Sequence, residues 1–203
     1  MKNNKMTVFS ALMALGLALT VSVQGAEGFG VTGVQPVATN YATAVIPVGD
    51  GAPVVTYLRV TGDDASCTLY LNKKGTNQIK TVLGVHAGTT NLYGSFLGIA
   101  AGSPVVIRDV SATPNVYFGT MAHAVGTSSN IILRGVVPFT PASGDLVYGF
   151  TANGSIAVGA AAKELNMAPG GLWFDADWPA MFSATNAPGT NVTIDVISGY
   201  YSK

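Results

Sequence analysis

The chain has 203 residues, ten basic and ten acidic side chains, and a formal net charge of zero at pH 7. Hydrophobic residues make up 48% and charged residues only 10%, against about a quarter in ordinary domains. This composition excludes a disordered chain and removes any electrostatic attraction to nucleic acid or an anionic membrane.

"MKNNK" opens the chain with two lysines and no acid, and the uncharged run "MTVFSALMALGLALTVSV" follows. Val23 and Gly25 then stand at the small-residue positions a signal peptidase prefers. This order reads as a bacterial secretory signal peptide over residues 1–25. An uncleaved run of this length would instead anchor the chain in a membrane. The small residues and the polar, Gly-rich sequence beyond favour cleavage. No Cys stands at the cut to carry a lipid. The expectation is a secreted protein (periplasmic, cell-surface or extracellular) without a transmembrane segment after cleavage. Residues 26–203 are then one domain, with 26–42 a flexible N-terminal arm that could be donated to another sheet.

From residue 43 onward, short runs rich in Val, Ile, Thr, Tyr and Phe alternate with Gly, Pro, Asn and Ser. Runs of this kind predict strands. The first are "TAVIPV" (43–48) and "VVTYLRVT" (54–61). "TGDDAS" then predicts a hairpin turn, with Asp63 and Asp64 as turn formers rather than calcium ligands. Cys67, in "SCTLYLN" (66–72), is the only cysteine. It alternates with Leu69 and Leu71 and reads as a small buried hydrophobe. "IKTVLGVH" (79–86) contains His86, and "NVYFGTMAHAV" (115–125) contains His123. Both histidines read as structural, since nothing nearby assembles a triad. "PVVIRDVS" (104–111) is a further strand, and "NIILRGVVPF" (130–139) opens on a run that is apolar on both faces, as central or interface strands are. "DLVYGFTA" (145–152) and "SIAVGAAA" (155–162) flank Asn153-Gly154, the strongest local hairpin signal in the chain. "AAAKELNMAPGG" predicts the one short helix, ended by Pro169-Gly170, unless Ala160 to Ala162 continue the strand. "NVTIDVISGYY" (191–201) closes the series. Asn153 and Asn191 lie in Asn-x-Ser/Thr sequons and read as turn residues.

About ten short strands without helical alternation predict an all-β protein, an antiparallel β-sandwich or jelly roll. The sequence contains no HExxH, no cysteine pair, no phosphate-binding loop and no GxSxG elbow, so no catalytic residue, cofactor or metal site is expected.

"GGLWFDADWPAMF" (170–182) carries both tryptophans of the chain. Read as one strand, it places Leu172, Phe174, Ala176 and Trp178 on a core face, and Trp173, Asp175 and Asp177 on the other. An indole stacks on the C–H face of a sugar, and carboxylates accept hydroxyl hydrogen bonds. Trp173, Asp175, Asp177 and Trp178 are therefore the candidate ligand residues, with a polysaccharide as ligand. The competing expectation is that both indoles are core. The leading functional expectation is a non-catalytic structural or surface protein that self-associates into a homo-oligomer or attaches to a cell-envelope partner. Its warrant is the low charge and the open sheet edges such folds present.

Overall fold

The computed structural model describes residues 29–34, 36–38, 40–79, 90–94, 99–127, 130–167 and 169–202. The signal segment, residues 26–28, and most of the run 79–86 with His86 lie outside the described residues. Every regular element among those described is a β-strand: β1 (Phe29–Val34), β2 (Pro36–Ala38), β3 (Tyr41–Ile46), β4 (Ala52–Gly62), β5 (Thr68–Ile79), β6 (Asn91–Tyr93), β7 (Pro104–Asp109), β8 (Val116–Thr127), β9 (Asn130–Leu133), β10 (Leu146–Ala157), β11 (Ala162–Asn166), β12 (Leu172–Trp173), β13 (Ala180–Thr185) and β14 (Val192–Ser202). All pairings are antiparallel. No helix among the described residues is long and apolar enough to cross a membrane.

Two sheets form. The five-stranded sheet runs β1-β14-β4-β11, and β12 pairs β4 beyond the end of β11. The nine-stranded sheet runs β2-β3-β13-β5-β10-β7-β8-β9-β6. The two pack face to face over one core, in which Val55, Leu58 and Val60 of β4 and Ile194 and Ile197 of β14 meet Ala42, Ala44, Leu69 and Phe182. Period-two alternation selects these residues, with two informative exceptions. The β4–β14 register shifts between Ser198 and Gly199 and again between Ile194 and Val196. Each bulge inserts one residue and reverses the alternation. That is why Val55 and Leu58, three apart, both face inward, as do Ile194 and Ile197.

The nine-stranded sheet curls until β8 lies against the back of β3. Thr43 Oγ1 donates to the Gly119 carbonyl at 2.8 Å, and the Tyr41 hydroxyl to the Thr120 carbonyl at 3.4 Å. Gly119 permits the approach: a Cβ there would fall 2.7 Å from Val45 Cγ2. The curl encloses Val106, Tyr148, Phe150, Trp178 and Met181. On the other face of its far half, Leu92, Val105, Ile107, Ile131 and Val147 form a further cluster. β7 is thus buried on both faces, which explains its continuous apolar run.

The all-β sandwich expected from the sequence is present, and four local expectations change. Asn153-Gly154 makes no hairpin. β10 runs straight through it and pairs β5 on both sides, with a register shift between Ala152 and Gly154. The long partner strand keeps both runs in one ladder, and Asn153 becomes the extra residue of a bulge. "TGDDAS" does turn the chain, but it carries it from β4 in one sheet to β5 in the other, so it is a crossover and not a hairpin. "AAAKELN" is not a helix: Ala162–Asn166 is β11, paired along β4. A segment this short is marginal as a helix alone, and the free edge of β4 offers it a full set of hydrogen bonds. Lastly, the described part of the N-terminal arm lies in the molecule's own sheets, with β1 on β14 and β2 on β3.

Candidate functional site: an aromatic row on the outer sheet face

β12 is only two residues long, and its register decides the site. Leu172 lies opposite Val55 and Trp173 opposite Val54. On the other side of β4, Tyr200 of β14 is also opposite Val54. Directly opposed residues of an antiparallel ladder project to the same face. Val55 is core and Leu172 packs against it, so Trp173, Val54 and Tyr200 form a row on the outside. Val54 is fully covered, while Trp173 is 57% and Tyr200 36% exposed. Tyr201, the next residue, points inward. Its hydroxyl donates to the Pro47 carbonyl at 2.8 Å, and burial, with Tyr117 adding to it, pushes its phenol up to about 12.

Gly171 packs closely against Val54 in this row. Its φ of 67° is a left-handed value that side chains resist, and a Cβ there would sit 2.5 Å from Val54 Cγ1. The turn it permits lets the Trp173 Nε1–H donate to the Gly170 carbonyl at 3.0 Å. The exposed indole is therefore anchored by its own N–H.

Further along the strands, Asn166, Tyr57 and Ser198 share the next outer row. Desolvation raises the Tyr57 phenol, and the Glu164 carboxylate beside it adds to the rise. Beyond lie Glu164 and Arg59, then Ala162, Thr61 and Thr193. Asp195 takes up the charge here. It accepts from the Thr61 hydroxyl and from Thr193 Oγ1, the latter at 2.6 Å, and Arg59 Nε lies 3.6 Å from its Oδ2.

The other residues singled out in the sequence go elsewhere. The ladder ends at Trp173, and only the Phe174 amide still bonds to β4, at the Pro53 carbonyl, 3.0 Å away. Phe174 packs edge-on to Phe182 with ring centroids 5.4 Å apart. The chain then turns at Ala176-Asp177 and crosses to the nine-stranded sheet. Leu172, Phe174, Ala176 and Trp178 therefore do not share one face: Ala176 is exposed, and Trp178 enters the curl. Trp178 is buried edge-on to Tyr148 and Phe150, at 5.0 and 6.3 Å. Asp175 is exposed on the crossing loop. Asp177 accepts from Lys74 Nζ through both oxygens, at 2.9 and 2.7 Å. That bond holds its carboxyl below the usual range and raises the Lys74 ammonium. The same ammonium stands 5.1 Å from the Trp178 ring centroid.

Among the remaining candidates, Cys67 is buried, and its thiol is pushed up by desolvation and then by Asp63 and Asp64. Asp63 accepts from the Asn191 amide at 2.7 Å and from Asn186 Nδ2 at 3.0 Å, so it ties the 186–191 loop to the sheet crossover. Asp64 caps the turn through the Ser66 amide, at 2.8 Å. His123 is exposed on β8. No group of three or more His, Cys, Asp or Glu suited to a metal ion occurs among the described residues.

Sequence reasoning located Trp173 but missed Tyr200 and Tyr57. The one available signal was "GYY", where alternation must send one of two adjacent tyrosines outward. No protein family, curated protein or solved structure matches the chain.

Proposed function

We propose that the protein is a non-catalytic attachment protein that holds a polysaccharide on the outer face of its five-stranded sheet. The observation that carries this reading is the row of Trp173 and Tyr200 over Val54, in which a large indole stays exposed while its N–H is tied down. An anchored aromatic loses little freedom on stacking, and neutral polar side chains border it. Of the acids on this face, Asp195 is already occupied by two hydroxyls and an arginine, and Glu164 lies beside the Tyr57 phenol, which suits binding better than proton transfer. Export through the segment 1–25 brings this face to where polysaccharides are met, and N-terminal sequencing of the mature protein is expected to read from Ala26 or Glu27. The binding itself is tested by native electrophoresis in gels cast with individual polysaccharides. At least one is expected to retard the parent and not Trp173→Ala. Equal mobility of the two proteins in every gel would refute the reading.

A second reading, self-assembly through a sheet edge, is favoured by one comparison. Among the described residues, four of the five edge strands carry a device that discourages pairing: β11 bears Lys163 and Glu164, β2 is three residues long and starts with Pro36, β6 is three residues long, and β12 is two. The fifth, β1, is "FGVTGV", with six residues and neither charge nor proline. Sedimentation across a wide concentration range is expected to show a dimer that Thr32→Lys dissociates, and a monomer at all concentrations would rule this out.

A further inference from the structure

Building on the glycan reading above, we propose that the outer face takes an extended, uncharged, β-1,4-linked hexose chain laid across the strands, with rings n and n+2 on Trp173 and Tyr200 and ring n+1 over Val54. Three observations lead there.

The first is spacing. Trp173 and Tyr200 lie one strand to either side of Val54. Neighbouring strands are about 4.8 Å apart, so the two aromatic positions are separated by about 9.5 Å, perpendicular to the strands. That matches the disaccharide repeat of a fully extended chain. In such a chain each ring is flipped relative to the last, so n and n+2 present the same face to the sheet. A helical α-linked chain turns its rings away from a common plane and cannot meet both aromatics.

The second is charge. The row Trp173–Val54–Tyr200 and the bordering row Asn166–Tyr57–Ser198 contain no ionised side chain. In the rows beyond, Arg59 is matched by Asp195, and Glu164 adds a further carboxylate beside Tyr57. An uncharged, hydroxyl-rich chain complements this surface, whereas a uronic acid polymer would bring charge with no counter-charge to meet it. The third is the border itself. Asn166, Tyr57 and Ser198 form a polar row parallel to the aromatic one, one step along the strands, with the Glu164 carboxylate beside the Tyr57 phenol.

Calorimetry with β-1,4-linked glucose oligosaccharides of two, three, four and six units tests this on the full mature protein. Affinity is expected to rise about tenfold between two and three units, about 1.4 kcal/mol, and to change little thereafter. Tyr200→Ala is expected to abolish that step and Tyr200→Phe to keep it, with thermal melts confirming that both variants are folded. Binding that shows no step at three units, or a step that survives in Tyr200→Ala, would overturn the crosswise placement while leaving a Trp173-dependent glycan site intact. A preference for α-1,4-linked or uronic acid oligomers would overturn the ligand class. Failure to bind any oligosaccharide, together with unchanged gel mobilities, would remove both this proposal and the reading beneath it.

Discussion

Trp173 and Trp178 are five residues apart and live in opposite surroundings. Trp173 is exposed, and its N–H is hydrogen-bonded. Trp178 is buried, and its N–H finds no partner among the described residues. The first lies on the back of one sheet, the second inside the curl of the other. The difference comes from the backbone between them, which leaves its ladder after Trp173 and turns at Ala176-Asp177. An indole held by a hydrogen bond at the surface keeps its face open to solvent, whereas one packed against Tyr148 and Phe150, with Lys74 beside it, serves the core.

The sharpest way to break this comparison is to truncate each indole. Trp178→Ala is expected to cost about 3–5 kcal/mol, the usual loss for a large buried aromatic. Trp173→Ala is expected to cost under about 1 kcal/mol, since most of its surface already faces water. Urea unfolding of both variants measures the gap, and equal losses would erase the distinction. Gly171→Ala sharpens it without touching either indole. A positive φ and a 2.5 Å approach to Val54 oppose any side chain there, so a loss of about 1–3 kcal/mol is expected. Glycan affinity should fall with it, although no aromatic is touched. Chemical denaturation and gel mobility of this one variant read both effects.

The smallest effect concerns the ion pair beside Trp178. Asp177 has its pKa lowered by Lys74, so its contribution is present above the ordinary carboxylate range and fades as pH falls through the lowered value. Lys74 has its pKa raised, so its contribution is present below the ordinary ammonium range and is lost as pH rises through the raised value. Lys74 is partly exposed, at 34%, and Asp177 largely so, at 72%, and solvent screens the pair. Asp177→Asn should therefore melt only slightly below the parent near neutrality, and the difference should vanish in acid. A large difference at neutral pH, followed across a pH series by calorimetry, would show that the pair clamps Trp178.

The strands were legible because Val, Ile, Thr and Tyr at alternate positions need a half-buried ladder, and β4, β7, β8 and β14 fall where that pattern put them. Asn153-Gly154 misled because a bulge accepts the same residues as a tight turn, and only the presence of β5 alongside decides between them. β11 was hidden because Ala-Lys-Glu-Leu suits a helix until an edge strand offers it partners. Trp173 could be read as a surface aromatic from its acidic neighbours, yet those acids belong to other settings: Asp177 to Lys74, and Asp175 to the crossing loop. The residues that do accompany Trp173 come from positions 54, 57 and 200. Val54 and Tyr57 are brought to one face by the bulge between Ser198 and Gly199 in the β4–β14 ladder, and a one-residue change in register would turn them to the other face.

The chain has two indole N–H groups, so one spectrum tests the account most directly. Amide and indole proton–nitrogen correlations should be recorded on the labelled mature protein as a β-1,4-linked hexasaccharide is added. The Trp173 indole signal and the backbone signals of Val54, Tyr57 and Tyr200 are predicted to shift together and saturate, while the Trp178 indole stays fixed. A moving Trp178 with a stationary Trp173, or no movement of either at saturating sugar, would contradict it.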